Sequence, residues 1–385
     1  MPEQYMLLMP HKVIGGSNAL EQIEGLLKGK YKKAAVFTDK GIHNSGIIDY
    51  PLELLGLCNL EIIIFDELPT EPSCDEAQKV VDDFRRSGAD LIVGIGGGSV
   101  MDVAKLASIA ATDTYGVRDL LDKPFIGRKF ADVLLIPTTA GTGSEATPNS
   151  IVTVPEKNLK VGIVNAEMLA DMVILDGRML KNLPQQIAAS TGIDALAHAI
   201  ECYTSNKANP ISNMFAMEAL KLIFDNIIPA CEDPGAVKEK NSMLLAAFYA
   251  GAAITASGTT AVHALSYPLG GRYHIPHGIS NAIMLLPVLK FNRPSCLKEL
   301  EEIYDTVSKR NLNVRQEEKA EWVLNKISEI IRTLKIPSSL RSFGINTGDL
   351  EALVQDGMQV KRLLNNNKTT VTAEDARKLY LEVMQ

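Results

Sequence analysis

Histidine and tryptophan are scarce in this chain of 385 residues, with six and one respectively, and there are only five cysteines. The cysteines (Cys58, Cys74, Cys202, Cys231, Cys296) are scattered, odd in number and free of any Cys-x-x-Cys pair. That excludes a disulfide framework and a thiolate zinc site, and a reduced cytoplasmic compartment is the simplest reading. Basic residues are outnumbered 39 to 46, and the net charge of −7 excludes a general nucleic-acid binder, which needs a basic surface to neutralise phosphates. No apolar run is long enough to span a bilayer, so no membrane partner is expected. Met1-Pro2-Glu3-Gln4-Tyr5 lacks a basic start, and no secretory leader is expected. Internal repeats, low-complexity tracts and long charge blocks are missing too. What remains is 46% hydrophobic and 22% charged, the balance of a soluble globular protein whose length implies two domains, or three.

The first half alternates short β-rich runs with helical stretches. Ala34–Thr38, Leu60–Phe65, Leu91–Ile95, Val133–Pro137 and Val173–Leu175 are rich in branched residues and bounded by Gly, Pro or charge, as buried strands are. Helical segments such as Glu76–Ser87 and Met101–Ala111 lie between them. Strands alternating with helices imply a parallel sheet covered on both faces. From about Leu183 the pattern changes to long helices, including Gln185–Thr204, Ile211–Ile227 and Glu317–Leu334, with no convincing strand. The expectation is an α/β domain over residues 1–182 and an all-helical domain over 183–385.

Two turns in the first half suit a phosphate ligand. Leu91-Ile92-Val93-Gly94-Ile95-Gly96-Gly97-Gly98-Ser99 runs from a strand into a helix. Bare glycines let a backbone approach a pyrophosphate, and free N–H groups at a helix start bind its charge. Pro137-Thr138-Thr139-Ala140-Gly141-Thr142-Gly143-Ser144-Glu145 again follows a strand, with hydroxyls among its glycines. Neither is the Gly-x-Gly-x-x-Gly fingerprint, since Ser99 stands where a third glycine is required. Each alone is as consistent with a tight turn, but two on one sheet favour a phosphate ligand at the strands' carboxyl ends. Asp39, closing a strand in Val36-Phe37-Thr38-Asp39, could accept from the two hydroxyls of an adenosine ribose and repel a 2′-phosphate; capping the next helix is the equally common alternative. By composition Lys160 is a surface lysine.

Four of the six histidines fall in one stretch. Asp194 and His198 are one helical turn apart, which places their side chains about 5–6 Å from each other on one face. On a helical wheel Thr191, Glu201 and Ser205 share that side, and on this helix alone an ordinary solvated face is the stronger reading. The downstream histidines change the balance. His277 follows Pro276 at a helix start, where an imidazolium is disfavoured and the neutral, ligating form is kept. His263 sits in a small, apolar run (Thr259–Leu265), where an imidazole without a partner is costly. One carboxylate and three imidazoles suit Fe2+ or Zn2+ better than Mg2+ or Ca2+, which want oxygen only. Glu201 and His274 are spare candidates left outside that set.

Taken together, Gly96–Asp102, Pro137–Glu145, Asp194-Ala195-Leu196-Ala197-His198-Ala199-Ile200-Glu201 and His263–Gly278 resemble the iron-containing (group III) alcohol dehydrogenases, and the resemblance covers essentially the whole chain. It implies an N-terminal dinucleotide-binding domain with a parallel sheet, an all-α C-terminal domain, and an active site in the cleft between them. It assigns the metal to Asp194, His198, His263 and His277. It further implies that Gly97, Gly98 and Ser99 hold the pyrophosphate, and that Thr138 and Thr139 line the cofactor. Asn149 and Lys160 match cofactor-contacting positions, and Gly96 and Asp102 complete the first turn's motif. Asp39 matches a position where an acidic residue accompanies NAD rather than NADP.

One departure stands out. Many members read His-Gly-x-x-His-Pro or His-Ala-x-x-His-Pro after the third ligand, whereas this chain reads His263-Ala264-Leu265-Ser266-Tyr267-Pro268. The missing second histidine is a proton carrier beside the nicotinamide, so Tyr267 and His274 are the candidate catalytic residues. His274 or a water chain could take over the proton, and Tyr267 could equally serve only as a buried aromatic shaping the pocket. The implied reaction is reversible hydride transfer between a primary alcohol or diol, or its aldehyde, and NAD, assisted by Fe2+ or Zn2+, in a homodimer or larger homo-oligomer. Glycerol dehydrogenases and dehydroquinate synthases share the fold, but four protein ligands argue against them. A non-catalytic metal and nucleotide binder is the remaining alternative.

Overall fold

Branched apolar residues concentrate in short runs of the first half, and these runs become the strands of one sheet. The computed structural model describes residues 4–157, 159–309 and 314–385. The first three residues, on which the expectation of no secretory leader partly rests, lie outside the described residues. Among the described residues eight strands are formed: β1 (Lys12–Gly15), β2 (Lys33–Phe37), β3 (Glu61–Phe65), β4 (Leu91–Gly96), β5 (Asp132–Pro137), β6 (Asn149–Val154), β7 (Leu159–Val164) and β8 (Met172–Leu175). Six of them make a parallel sheet in the order β1-β8-β5-β4-β2-β3, while β6 and β7 pair antiparallel. β4 is buried along its whole length and β2 and β5 all but their first residue, which is why they read as unbroken apolar runs.

Chain order and spatial order diverge in a useful place. After β2 the chain moves outward to β3, then returns to lay β4 on the other side of β2. The carboxyl ends of β2 and β4 therefore flank a reversal of strand order, which is where open α/β sheets bind ligands. Thr38 and Asp39 follow β2, and the glycine turn follows β4.

The chain forms two compact units. One comprises residues 8–183 with 234–248; the other comprises 184–233 and 249–385 together with the stretch ending at Leu7. The second is helical, with Gln185–Thr204, Pro210–Glu232, Ala261–Tyr273, His277–Asn292, Leu297–Val307 and Gln316–Thr333 among its helices. Helix starts carry the expected chemistry: Ser73 and Glu76 form a capping box on Cys74–Ser87, and Asn209 accepts from Ile211 N and Ser212 N ahead of Pro210. Among the described residues no single helix is long and apolar enough to cross a membrane.

The Gln185–Thr204 helix differs from the solvated-face reading. From Ala189 to Thr204 every residue except Thr191 is buried, including Asp194, His198 and Glu201. Small side chains allow this: Ala189, Gly192, Ala195, Ala197 and Ala199 let neighbouring helices approach closely all round, as in a central core helix. The tightest approach is at Gly278, in the first turn of His277–Asn292. A Cβ there would lie 2.3 Å from the Ser190 carbonyl oxygen. That contact is to backbone and has no side-chain relief, so Gly278→Ala is expected to cost about 1–3 kcal/mol of stability, measured by denaturant unfolding. Wild-type stability in this variant would contradict the packing described.

Candidate metal centre and dinucleotide turns

Three helices of the helical unit each bring a polar atom to one point. Asp194 and His198 lie on Gln185–Thr204, His263 in the first turn of Ala261–Tyr273, and His277 at the first position of His277–Asn292. One ligand atom from each of the four lies within 4.8 Å of the other three. His277 Nε2, His263 Nε2 and His198 Nε2 stand 3.5, 3.7 and 3.8 Å from Asp194 Oδ1. Separations of this size are what a single cation bonded at about 2.0–2.2 Å to N and O donors requires. The rings of His198 and His263 stack at 4.5 Å. Asp194, His198 and His263 are buried, and the side chain of His277 is 29% exposed, leaving the group open on one side.

The electrostatics favour positive charge at this point. Burial alone would raise the Asp194 carboxyl, but the three facing imidazoles outweigh it and hold the group well below the usual carboxylate range. Burial would lower His263, yet Glu201 and Asp194 push it up to about 9. Glu201 is itself held below its ordinary value, because contacts with His263 and Thr260 outweigh its burial. Two buried carboxylates thus favour a cation here, whether a proton on an imidazole or a metal ion shared by all four side chains. The donor set, one oxygen and three nitrogens, fits a first-row transition metal or Zn2+.

Two further residues at the group carry no role in the sequence reading. Asn281 Nδ2 donates to Asp194 Oδ1 at 2.6 Å and lies 3.0 and 3.2 Å from Nε2 of His263 and His277; Ser266 Oγ donates to its Oδ1. The signal for Asn281 is its spacing, one helical turn after His277. Glu201, the spare ligand of the sequence reading, turns toward His263 Nδ1 and the Thr260 backbone. Tyr267 is half-buried with its ring 6.1 Å from that of His277 and 6.4 Å from that of His263. His274 is exposed and adopts a left-handed conformation (φ 55°) where the Ala261–Tyr273 helix ends.

The α/β unit places most of the remaining candidates at the carboxyl ends of β2, β4 and β5. Gly97 stands at the start of the Gly98–Ala110 helix, and Thr138 N donates to Gly96 O at 3.0 Å, tying the two turns together. A Cβ on Gly98 would meet Thr142 Cγ2 at 2.7 Å, so only glycine fits where the turns approach. The hydroxyls of Thr38, Thr138 and Ser150 and one oxygen of Glu145 are buried without a hydrogen-bond partner. Buried polar atoms seldom stay unpaired, and two of these, Thr38 and Thr138, sit directly at strand ends. A polar ligand fits them, with Thr139 beside Gly97 and Asn149 opening β6.

Other candidates have protein partners. Asp39 accepts from Ile42 N at 2.9 Å, the capping alternative raised by the sequence. Asp102 accepts from Ser144 Oγ and Ile151 N and lies 3.1 Å from the fully buried Lys105. Lys105 in turn donates to the Ser144 and Thr147 carbonyls, clasping the second turn to the helix of the first. Burial holds Lys105 below its ordinary value and pushes Glu145 up to about 7. Lys160 is no surface lysine: it is buried, with Nζ 2.6 Å from Glu71 Oε1. Ser99 Oγ accepts from Glu71 N at 3.1 Å, which brings Lys160 and the first turn into one cluster.

Comparison with known proteins shows which family the chain belongs to. Residues 10–177 match the model of the iron-containing alcohol dehydrogenases, and residues 188–384 match that of the C-terminal region of the Fe-containing alcohol dehydrogenase family. Long-chain-alcohol dehydrogenase 1 of Geobacillus thermodenitrificans is 32% identical over 369 residues, 95% of this chain and 93% of that protein. The 1,3-propanediol dehydrogenase of Klebsiella pneumoniae is 30% identical, with 95% and 96% covered. The crystal structure of an iron-containing alcohol dehydrogenase from Thermotoga maritima superposes with a TM-score of 0.84 at 32% identity, covering 99% of each chain. With one model on each half and relatives along nearly its whole length, the chain belongs to the iron-containing alcohol dehydrogenase family.

Proposed function

We propose that this protein is a metal- and NAD-dependent oxidoreductase that interconverts primary alcohols or diols with their aldehydes. The observation that carries the reading is the convergence of Asp194, His198, His263 and His277 on one point, their ligand atoms within 4.8 Å of one another. Family membership and relatives named for alcohol and propanediol oxidation support the reaction class. When bound, the metal (Fe2+, with Zn2+ accepted by the same donors) supplies Lewis acidity at the substrate oxygen, and NAD supplies the hydride acceptor.

The chain's own residues do the rest. Asp194, His198, His263 and His277 hold the ion, and the open side at His277 leaves the substrate oxygen a way in. Gly96, Gly97, Gly98 and Ser99 present a glycine turn and a helix N-terminus to the pyrophosphate. Thr138 and Thr139 line the dinucleotide, with Asn149 and Lys160 as further contacts, and Asp102 serves by bracing Ser144 and the β6 backbone. Tyr267, with its ring beside those of His263 and His277, shapes the pocket where the alcohol loses its proton. His274, at the exposed end of the same helix, is the candidate for passing that proton to solvent. A cytoplasmic setting is supported by five buried cysteines, none of them in a disulfide, and a homo-oligomer by the outer position and exposed side chains of β1.

Asp194→Asn and His263→Ala are each expected to lose bound metal and NADH-linked turnover together, while circular dichroism reports an intact fold. Full turnover in a variant verified to be metal-free would overturn the proposal. Asp39 governs the choice of dinucleotide: Asp39→Gly removes a negative charge that repels a 2′-phosphate. It is expected to raise kcat/KM with NADP at least about tenfold relative to NAD, a difference of about 1.4 kcal/mol in transition-state binding. An unchanged NADP/NAD ratio would show that Asp39 only caps its helix.

A further inference from the structure

Glu201 is 1% exposed, yet it is surrounded by donors rather than by bases. Its Oε1 accepts from Thr260 N at 2.9 Å, Thr260 Oγ1 at 2.7 Å and Val262 N at 2.9 Å, and His263 N lies at 3.4 Å. Its Oε2 pairs with Nδ1 of His263. These donors form the start of the Ala261–Tyr273 helix, whose first N–H groups have no partner within the helix. Thr260 precedes that helix without capping it, because its hydroxyl is turned outward as a donor to Glu201. A carboxylate from another helix does the capping, at the end of the dipole where negative charge is favoured.

Both oxygens of Glu201 must therefore be acceptors, and this fixes the chemistry of His263. A neutral imidazole carries one N–H and one lone pair. With an acceptor-only group at Nδ1, the proton sits on Nδ1 and the lone pair sits on Nε2, the atom 3.7 Å from Asp194 Oδ1. The carboxylate thereby orients the ring and its tautomer, and makes the nitrogen more basic toward a cation. Glu201 also belongs to the helix that carries Asp194 and His198. One side chain thus sets the third ligand relative to the first two and anchors the helix on which that ligand rides.

We propose that Glu201 is the positioning residue of the metal centre: it holds His263 in the Nδ1–H tautomer, with Nε2 aimed at the ion, and couples that ligand to the helix bearing Asp194 and His198. The inference rests on the metal reading given above and extends it to a residue outside the ligand set.

Glutamine is the discriminating replacement. It offers one acceptor oxygen where the site has donors on both sides. If that oxygen faces Thr260 and Val262, the NH2 meets His263 Nδ1 and moves the imidazole proton to Nε2. If it faces His263, the NH2 meets Thr260 N and Val262 N. The experiment titrates Zn2+ into the stripped full-length chain against a chromophoric chelator, with thermal unfolding alongside. Wild type is expected to bind one Zn2+ tightly, and Glu201→Gln to bind it about 10–100-fold more weakly. Thr260→Val removes a donor from the cap but leaves the His263 contact; it is expected to lower Tm without loosening Zn2+. Glu201→Gln binding Zn2+ within threefold of wild type would overturn the proposal, leaving Glu201 only a helix cap. A wild-type chain that takes up no Zn2+ would overturn the metal reading and this inference with it. A second measurement needs no variant. In the Zn2+-loaded wild type, 1H–15N spectra are expected to place the His263 proton on Nδ1, and a proton on Nε2 would contradict the assignment.

Discussion

A carboxylate buried against three imidazoles is the constraint on which the helical unit depends. Asp194 has 1% of its surface exposed, and desolvating a lone charge there would be prohibitive. It is affordable only because His198, His263 and His277 face it and Asn281 donates to it. Three of those partners, His263, His277 and Asn281, come from two other helices, each with its own fixed point. Glu201 anchors the helix carrying His263, and Gly278 lets the helix carrying His277 close onto Ser190. Packing and electrostatics are thus the same problem in this unit, since the helices must meet closely for the charges to be satisfied.

The α/β unit solves a different problem, that of keeping polar atoms ready for a ligand at the end of an apolar sheet. Its central strands β2, β4, β5 and β8 are buried, and the reversal of strand order between β2 and β4 lies where open α/β sheets bind ligands. The two turns bordering that place are not free loops. Lys105 clasps the second to the helix of the first, Asp102 braces the β6 backbone, and Lys160 and Glu71 tie the β6–β7 pair back to Ser99. A rigid surround of this kind limits the entropy lost when a ligand binds.

Much of this was legible in the sequence, for physical reasons that differ between elements. β2, β4, β5 and β8 announced themselves as branched apolar runs, because strands buried on both faces exclude polar residues. β3 was legible from its branched residues alone, since it lies at the sheet's edge with no residue fully buried, contrary to the expectation of a buried strand. The Gln185–Thr204 helix was legible from its pattern, and the grouping of Asp194, His198, His263 and His277 was suggested by the clustering of scarce histidines and assigned by the family resemblance; the structure brings those four side chains together. β1 was missed because four residues, three of them exposed, carry little pattern. The β6–β7 pair was missed although β6 alternates buried and half-buried residues, since its hydroxyl-rich start reads as a continuation of the preceding turn. The solvated-face reading of Asp194, His198, Glu201 and Ser205 failed for a deeper reason. Polar residues on one helical stripe look the same whether they meet water or distant partners, and the partners here lie more than 50 residues away for Glu201 and 160 for Ser205. Burial of Lys105 and Lys160 is hidden for the same cause.

The central claim is that four side chains on three helices hold one ion that the oxidation of an alcohol requires. Its most direct test is stoichiometric reconstitution: the full-length chain is stripped of metal, Fe2+ is returned anaerobically in steps, and NADH formation from a primary alcohol is followed against bound iron. The account predicts no turnover without metal and a linear rise that breaks at one ion per chain. Turnover by the stripped chain, or a rise unrelated to an ion held by Asp194, His198, His263 and His277, would contradict it.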